Sequence, residues 1–211
     1  ILRRQPSDLD TQPTNIEPWC HSYTVDSLFN TYRHNREGDV YVRNAVMDID
    51  FLINDLKQNK DKMEKDECIM KISVIVHLIG DMHCPMHAGR LSDRGGNGTK
   101  VKWFGQNTNL HSIWDSKMID SARKWNYSEW VDQLDRTDKK FRNSVMRGTY
   151  EEWFKETVEG AASIYEYVES MEKDNPNLSY QFVYDFSHLL EDRLLVGGYR
   201  LAYVLNTIFG S

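Results

Sequence analysis

The sequence predicts an all-α protein, one compact multi-helix domain spanning residues 1–211 with little or no sheet. Three observations point there. Apolar residues recur three and four apart over several long stretches, the spacing that gives a helix one buried face. Helix-start chemistry heads the clearest of these stretches, where Thr149 is followed by Glu152. Strand-like character is confined to a short run, Thr99 to Phe104. A chain of 211 residues fits one domain that buries most of its apolar surface without disulfides.

The first 40 residues read as loop, because Pro6, Pro13 and Pro18 and many polar residues disfavour helix. A helical pattern begins near Val40, with Val46, Ile49, Leu52, Ile53 and Leu56 on one face. The polar stretch Lys57 to Glu67 reads as a connection. A second helix is expected from about Asp66 to Met82, burying Ile69, Ile72, Val76 and Ile79, and Pro85 should end or bend it. Gly95-Gly96-Asn97-Gly98 cannot be helix interior. A helix follows from Leu110 to Lys124, and another runs to Arg136 with Ser128 as its N-cap. Behind Thr149, the residues Phe154, Val158, Ala161, Tyr165 and Val168 mark one helical face. Asn175-Pro176-Asn177 is a turn. The last helix, Tyr180 to Phe209, carries an interruption at Gly197-Gly198. The abrupt opening, Ile1-Leu2-Arg3-Arg4 with no initiator Met, reads as a chain lacking its natural N-terminal segment.

The net charge is −6, so no broad basic field draws in a polyanion, and positive charge for such a ligand must be local. Arg90, Arg94, Lys100 and Lys102 are the basic concentration, equally readable as a solvated loop. No apolar run approaches the roughly 20 residues of a membrane span. Cys20, Cys68 and Cys84 lack zinc-ribbon spacing; one disulfide with a free thiol and three free thiols are both open. Asn97, Asn126 and Asn177 are glycosylation acceptors if the protein is eukaryotic and secreted.

The chemistry concentrates in residues 77 to 115. His77 and Asp81 are four apart, which places both on one face of a helix. His111 and Asp115 repeat the pair. His87 follows the Pro85 bend. Two helices that each offer an imidazole and a carboxylate can enclose metal ions, and both groups are ordinary zinc ligands. Asp81 has two oxygens and is placed to bridge two ions. A lone pair of this kind more often belongs to a hydrogen-bonded core histidine, but two pairs within so short a span, joined by a Gly-rich loop, favour a metal site.

The same residues form a longer pattern. His77-x-x-Gly80-Asp81, Pro85-x-His87, Gly95-Gly96-Asn97 and Asn109-Leu110-His111-x-x-Trp114-Asp115 resemble the secreted zinc-dependent single-strand nuclease family, typified by fungal nucleases of the S-one and P-one type. Trp19-Cys20-His21 and the stretch Gly197 to Asn206 are also similar to that family, so the resemblance covers nearly the whole chain. It implies the mainly helical fold of the phospholipase C and single-strand nuclease type and three zinc ions in a cleft. His21 and His77 would hold one ion, His87, His111 and Asp115 a second, and Asp81 would bridge to a third in a catalytic role. It implies hydrolysis of single-stranded DNA and RNA to 5′-phosphorylated products, 3′-nucleotidase activity, and a secreted or periplasmic monomer. Arg3 and Asn97 are the substrate-binding candidates. The family's leading Trp and its Trp-x-Asp segment are absent, so these residues complete one zinc site and parts of two, and Ser22 and Thr24 stand where fungal members bind the base.

Two other readings compete: a zinc phospholipase C acting on lipid phosphodiesters, and a non-catalytic zinc-binding helical protein. Asp115, where the lipase relatives place Glu, favours the nuclease. His83 is expected to lie outside the ligands or at the surface, and His34 and His188 at the surface. Trp103 and Phe104 suit core packing more than base stacking. Trp125, Trp130, Trp153 and Met82, Met86 and Met118 are assigned to packing.

Overall fold

The computed structural model describes residues 45–210 and two short antiparallel strands, β1 (Thr24–Val25) and β2 (Thr31–Tyr32). Arg3, Cys20, His21 and His34 lie outside the described residues.

Helix α1 (Ala45–Asn59) buries the expected stripe: Ile49, Leu52 and Leu56 are fully enclosed. The polar stretch after it is not an open connection. A 3-10 turn continues through Lys60–Lys62, and α2 (Lys65–Asp81) begins three residues later. The buried face of α2 differs from the one expected. Val74, Ile75, Leu78 and Ile79 pack inward, whereas Ile69 and Val76 are 50% and 41% exposed. The segment from Ile69 to Ile79 is apolar nearly all round, so periodicity alone cannot choose its inner side. Lys71 ties the two helices: its ammonium lies 2.5 Å from both Asp55 and Glu67.

Pro85 opens a 3-10 turn, Pro85–Ala88, that carries His87. The Gly-rich loop then leads into a hairpin, β3 (Lys100–Trp103) against β4 (Gln106–Asn109), and β5 (Asn177–Leu178) joins β3 in parallel. The predicted helix 110–124 is broken into three. It comprises α3 (Leu110–Ser112), a π-helical turn Ile113–Lys117, and α4 (Met118–Ala122). Asp115 therefore sits in a wide turn and not in regular helix, a feature that often marks functional sites.

Helix α5 (Tyr127–Leu134) starts one residue pair earlier than predicted. Asn126, not Ser128, is the N-cap: its side chain accepts from Glu129 N–H at 3.0 Å while the Glu129 carboxylate accepts from Asn126 N–H at 2.8 Å. Helix α6 (Lys139–Val145), capped by Asp138, was not anticipated. Helix α7 (Tyr150–Ser170) begins with the expected Thr149–Glu152 capping box. Helix α8 (Tyr180–Phe209) runs 30 residues without interruption. Gly197 is there for close approach: a Cβ would stand 3.2 Å from the His83 ring.

Two apolar clusters hold these elements. One is built on α1, α2 and the C-terminal part of α8; the other joins the sheet, the π-helical turn and the first part of α8, and α7 contributes to both. Trp103, Trp130, Trp153, Met82, Met86 and Met118 are all buried, as expected, and Trp125 packs edge-on against Trp130. Cys68 and Cys84 are free thiols, and burial pushes the Cys84 thiol up.

Candidate metal centre

The C-terminal turn of α2, the Pro85–Ala88 turn and the start of the 110–122 helical segment meet at one place. His77 Nε2 lies 3.2 Å from Asp81 Oδ2, and the same oxygen lies 3.4 Å from His87 Nδ1. On its other side, His87 Nε2 is 3.4 Å from Asp115 Oδ1, and the His87 and His111 rings are stacked with centroids 5.1 Å apart. One ligand atom each from His87, His111 and Asp115 lies within 4.8 Å of the other two. The cluster is graded: the His77 side chain is 51% exposed and that of His87 19%.

The donor chemistry suits a divalent cation. Imidazole nitrogen and carboxylate oxygen are ordinary zinc ligands, so His87, His111 and Asp115 could hold such an ion. His111 is prepared for such a role. Its Nδ1 lies 2.8 Å from the Gly95 carbonyl, which can only accept, so the proton is on Nδ1 and the lone pair on Nε2. His87 reports the local field. Burial opposes its cation, but the Asp115 and Asp81 carboxylates outweigh burial and raise the ring to about 11. Two carboxylates, Asp81 and Asp115, face this one imidazole from opposite ring nitrogens.

The Gly-rich loop is what aims that carbonyl. Gly95 and Gly96 have φ of 63° and 82°, and a Cβ on Gly95 would stand 2.6 Å from the Met86 carbonyl. Asp93 ties the loop together. Its carboxylate accepts from Gly96 N–H at 2.9 Å, from Thr99 Oγ1 at 2.5 Å and from the Tyr165 hydroxyl at 2.9 Å. Sequence reasoning missed Asp93; its place two residues before the glycine pair was the available signal. Asn97 is exposed, and its amide donates to the Arg94 carbonyl at 2.9 Å. Arg90 is ion-paired with Glu169 and stacks on Tyr165, so it is less free than a solvated loop residue.

His83 is not at the surface. It is 4% exposed and belongs to a second polar group behind α2. Burial first, with the Arg200 and Arg193 charges, holds it down to about 4. The neutral ring donates from Nδ1 to the Ile79 carbonyl at 2.7 Å and accepts from Arg200 at 3.1 Å. Arg200, itself 2% exposed, also donates to the Val145 carbonyl and to Glu156. Arg200 was read only as part of the family-like stretch Gly197 to Asn206; the signal for its burial was the four-residue spacing Val196, Arg200, Val204, Ile208, all buried. His188 is exposed, as expected.

A mostly helical frame that gathers imidazoles and carboxylates between its helices defines a helical protein with a group able to hold a metal ion. Within that class the family is clear: residues 11–210 match the S1/P1 nuclease family, and the chain belongs to it. Among its relatives, Endonuclease 2 of Arabidopsis thaliana is 30% identical over 64% of this chain and 50% of its own length. Endonuclease 4 of the same plant is 27% identical over 84% of this chain and 63% of its own. Nuclease S1 of Aspergillus oryzae is 45% identical over 56 residues, 26% of this chain and 19% of its own. The chain spans 50% and 48% of the length of two of the curated relatives it matches.

Proposed function

We propose that this protein is a zinc-dependent endonuclease that hydrolyses single-stranded DNA and RNA to 5′-phosphorylated products, with 3′-nucleotidase activity. The observation that carries the reading is the convergence of His87, His111 and Asp115 within 4.8 Å. His77, His87, His111 and Asp115 are assigned as zinc ligands, with His21 as a further ligand. Asp81 is assigned the bridging and catalytic place, supported by its Oδ2 facing both His77 and His87. Bound zinc supplies a Lewis acid for the phosphoryl oxygens and lowers the pKa of water near it.

The chain's own residues do the rest. Gly95 holds His111 in the tautomer that leaves Nε2 available. The carboxylates of Asp81 and Asp115 offset the charge of the ions. Single strands suit the site because their bases are free to leave the stack and meet protein side chains. Asn97 and Arg3 are assigned to the substrate. The domain is read as one unit over 1–211, a monomer, acting after secretion or export to the periplasm. No helix among the described residues is long and apolar enough to cross a membrane.

The test is a chelation series on single-stranded DNA, RNA, duplex DNA and phosphatidylcholine side by side. Hydrolysis of the single strands is expected to vanish on chelation and return with zinc. His111→Ala is expected to lose an ion and nearly all turnover while keeping its helicity. Turnover that survives chelation, or cleavage of the lipid without cleavage of nucleic acid, rejects the reading.

A further inference from the structure

The segment between Asp81 and His87, two of the assigned ligands, contains the end of α2 and the start of the Pro85–Ala88 turn. A helix end leaves its last carbonyls without partners inside the helix. Here backbone donors take three of them: Met82 N–H donates to Leu78, His83 N–H to Gly80 and Cys84 N–H to Asp81, at 2.9, 3.1 and 3.0 Å. The fourth, the Ile79 carbonyl, accepts from His83 Nδ1 at 2.7 Å. The His83 side chain thus completes the cap of α2, and its Nε2 is left as an acceptor.

Packing alone does not hold this segment. A cavity of about 210 Å³ borders Gly80, His83, Cys84 and Pro85, together with Gly197 and Leu201 of α8. Metal ligands must be held to within about 0.5 Å of their working geometry, and an adjacent cavity leaves room for a larger drift. Helix α8 carries none of the assigned ligands, yet it grips the His83 ring at two points. Arg200 donates to Nε2 at 3.1 Å, and Gly197, lacking a Cβ, lets the helix backbone come close to the ring. Arg200 is itself anchored. It is buried, donates to the Val145 carbonyl of α6 at 2.9 Å and to Glu156 of α7 at 2.7 Å, and lies 4.8 Å from the centre of the Trp153 ring. A planar guanidinium with its donors in a fixed fork is a rigid link between such partners.

We propose that Arg200 is a positioning residue for the metal centre: through the His83 ring it fixes the end of α2, and with it the placement of Asp81 and His87. The inference rests on the reading of those two residues as zinc ligands. It gives α6, α7 and α8, which hold none of the assigned ligands, a part in setting the geometry of the cluster.

The test compares wild type with Arg200→Met, Gly197→Ala and Val204→Ala. Arg200→Met removes the donor to the ring. Gly197→Ala favours α8 by intrinsic helix propensity but sets a methyl 3.2 Å from the His83 ring, which must give by a few tenths of an ångström. Val204, fully buried in the apolar core one turn beyond Arg200, is the control that loses stability with the hydrogen bonds to His83 intact. Chelator competition reads zinc affinity. Cobalt(II), loaded in place of zinc, reads the ligand geometry through its visible absorption. Arg200→Met and Gly197→Ala are expected to lose about tenfold in zinc affinity and to shift the cobalt bands. Val204→Ala should keep both at wild-type values despite a lower melting temperature. Either of the first two variants, if folded and unchanged in zinc affinity and cobalt bands, overturns the proposal. So does an equal loss in Val204→Ala, which would make the effect one of stability alone. If Arg200→Met does not fold, Gly197→Ala decides by itself. If wild type binds no zinc, the metal reading fails by itself, and amide hydrogen exchange over residues 81–87 still decides the anchor. Faster exchange there in Gly197→Ala than in Val204→Ala supports it, and equal exchange overturns it.

Discussion

His111 is oriented by Gly95: the imidazole Nδ1–H donates to the Gly95 carbonyl at 2.8 Å, across 16 residues of sequence. The carbonyl is in place because Asp93 gathers Gly96, Thr99 and Tyr165 around one carboxylate. Asp93→Ala is therefore expected to lower zinc affinity by about ten- to a hundredfold, the usual effect of losing a partner that orients a ligand. Tyr165→Phe, which removes one of the three donors, should cost less. Chelator competition measures both, with far-UV circular dichroism as the control. Full affinity in Asp93→Ala would mean that the loop does not orient His111.

The Asp55–Lys71 pair sets a two-sided pH dependence of stability. Burial raises the Asp55 carboxyl, but the hydrogen bonds from Lys71 and Asn59 outweigh it and leave the group below 3.8. Burial likewise lowers Lys71, and the Asp55 and Glu67 carboxylates outweigh it, leaving the ammonium above 10.5. The depressed acid stabilises fully above 3.8, and its contribution is lost as pH falls through the folded value. The raised base stabilises fully below 10.5, and its contribution is lost as pH rises through the folded value. Lys71→Met should cost about 2 kcal/mol near neutrality, typical of hydrogen bonds to charged groups. It should also flatten both ends of the melting-temperature profile. An unaltered profile would show that the pair contributes nothing.

The α5 cap is tested by a pair of variants. Asn126→Ala removes the side-chain acceptor for Glu129 N–H and should cost about 1 kcal/mol. Ser128→Ala lies inside the first turn and should stay within about 0.5 kcal/mol of wild type. Urea unfolding of both decides; the reverse order would return the cap to Ser128.

The parts of the fold legible in the sequence were those where one local signal had no competitor. Val46, Ile49, Leu52, Ile53 and Leu56 fall three and four apart on one helical face, and Thr149–Glu152 is a capping box with its stripe behind it. α2 offered too many apolar residues for its inner face to be chosen. The uninterrupted α8 was hidden because Gly197 reads as a breaker, while its actual use, contact with the His83 ring, depends on a partner over a hundred residues away. The same holds at the site. His77 with Asp81 and His111 with Asp115 were visible as pairs at helical spacing, and His87 as the imidazole after the Pro85 bend. The roles of Asp93 and Arg200 were not: Asp93 organises an irregular loop turn through Gly96 and Thr99, which no periodicity marks, and Tyr165, while the partners of Arg200 lie 44 to 117 residues away. The π-helical turn around Asp115 has no sequence signature that periodicity detects.

The central claim is that these imidazoles and carboxylates share divalent cations. The direct measurement is anomalous scattering at the zinc edge from crystals of the protein. The account predicts a peak within about 2.1 Å of nitrogens from His87 and His111 and an oxygen of Asp115. Diffraction from zinc-soaked crystals with no peak among these side chains, or with zinc only elsewhere, would contradict it.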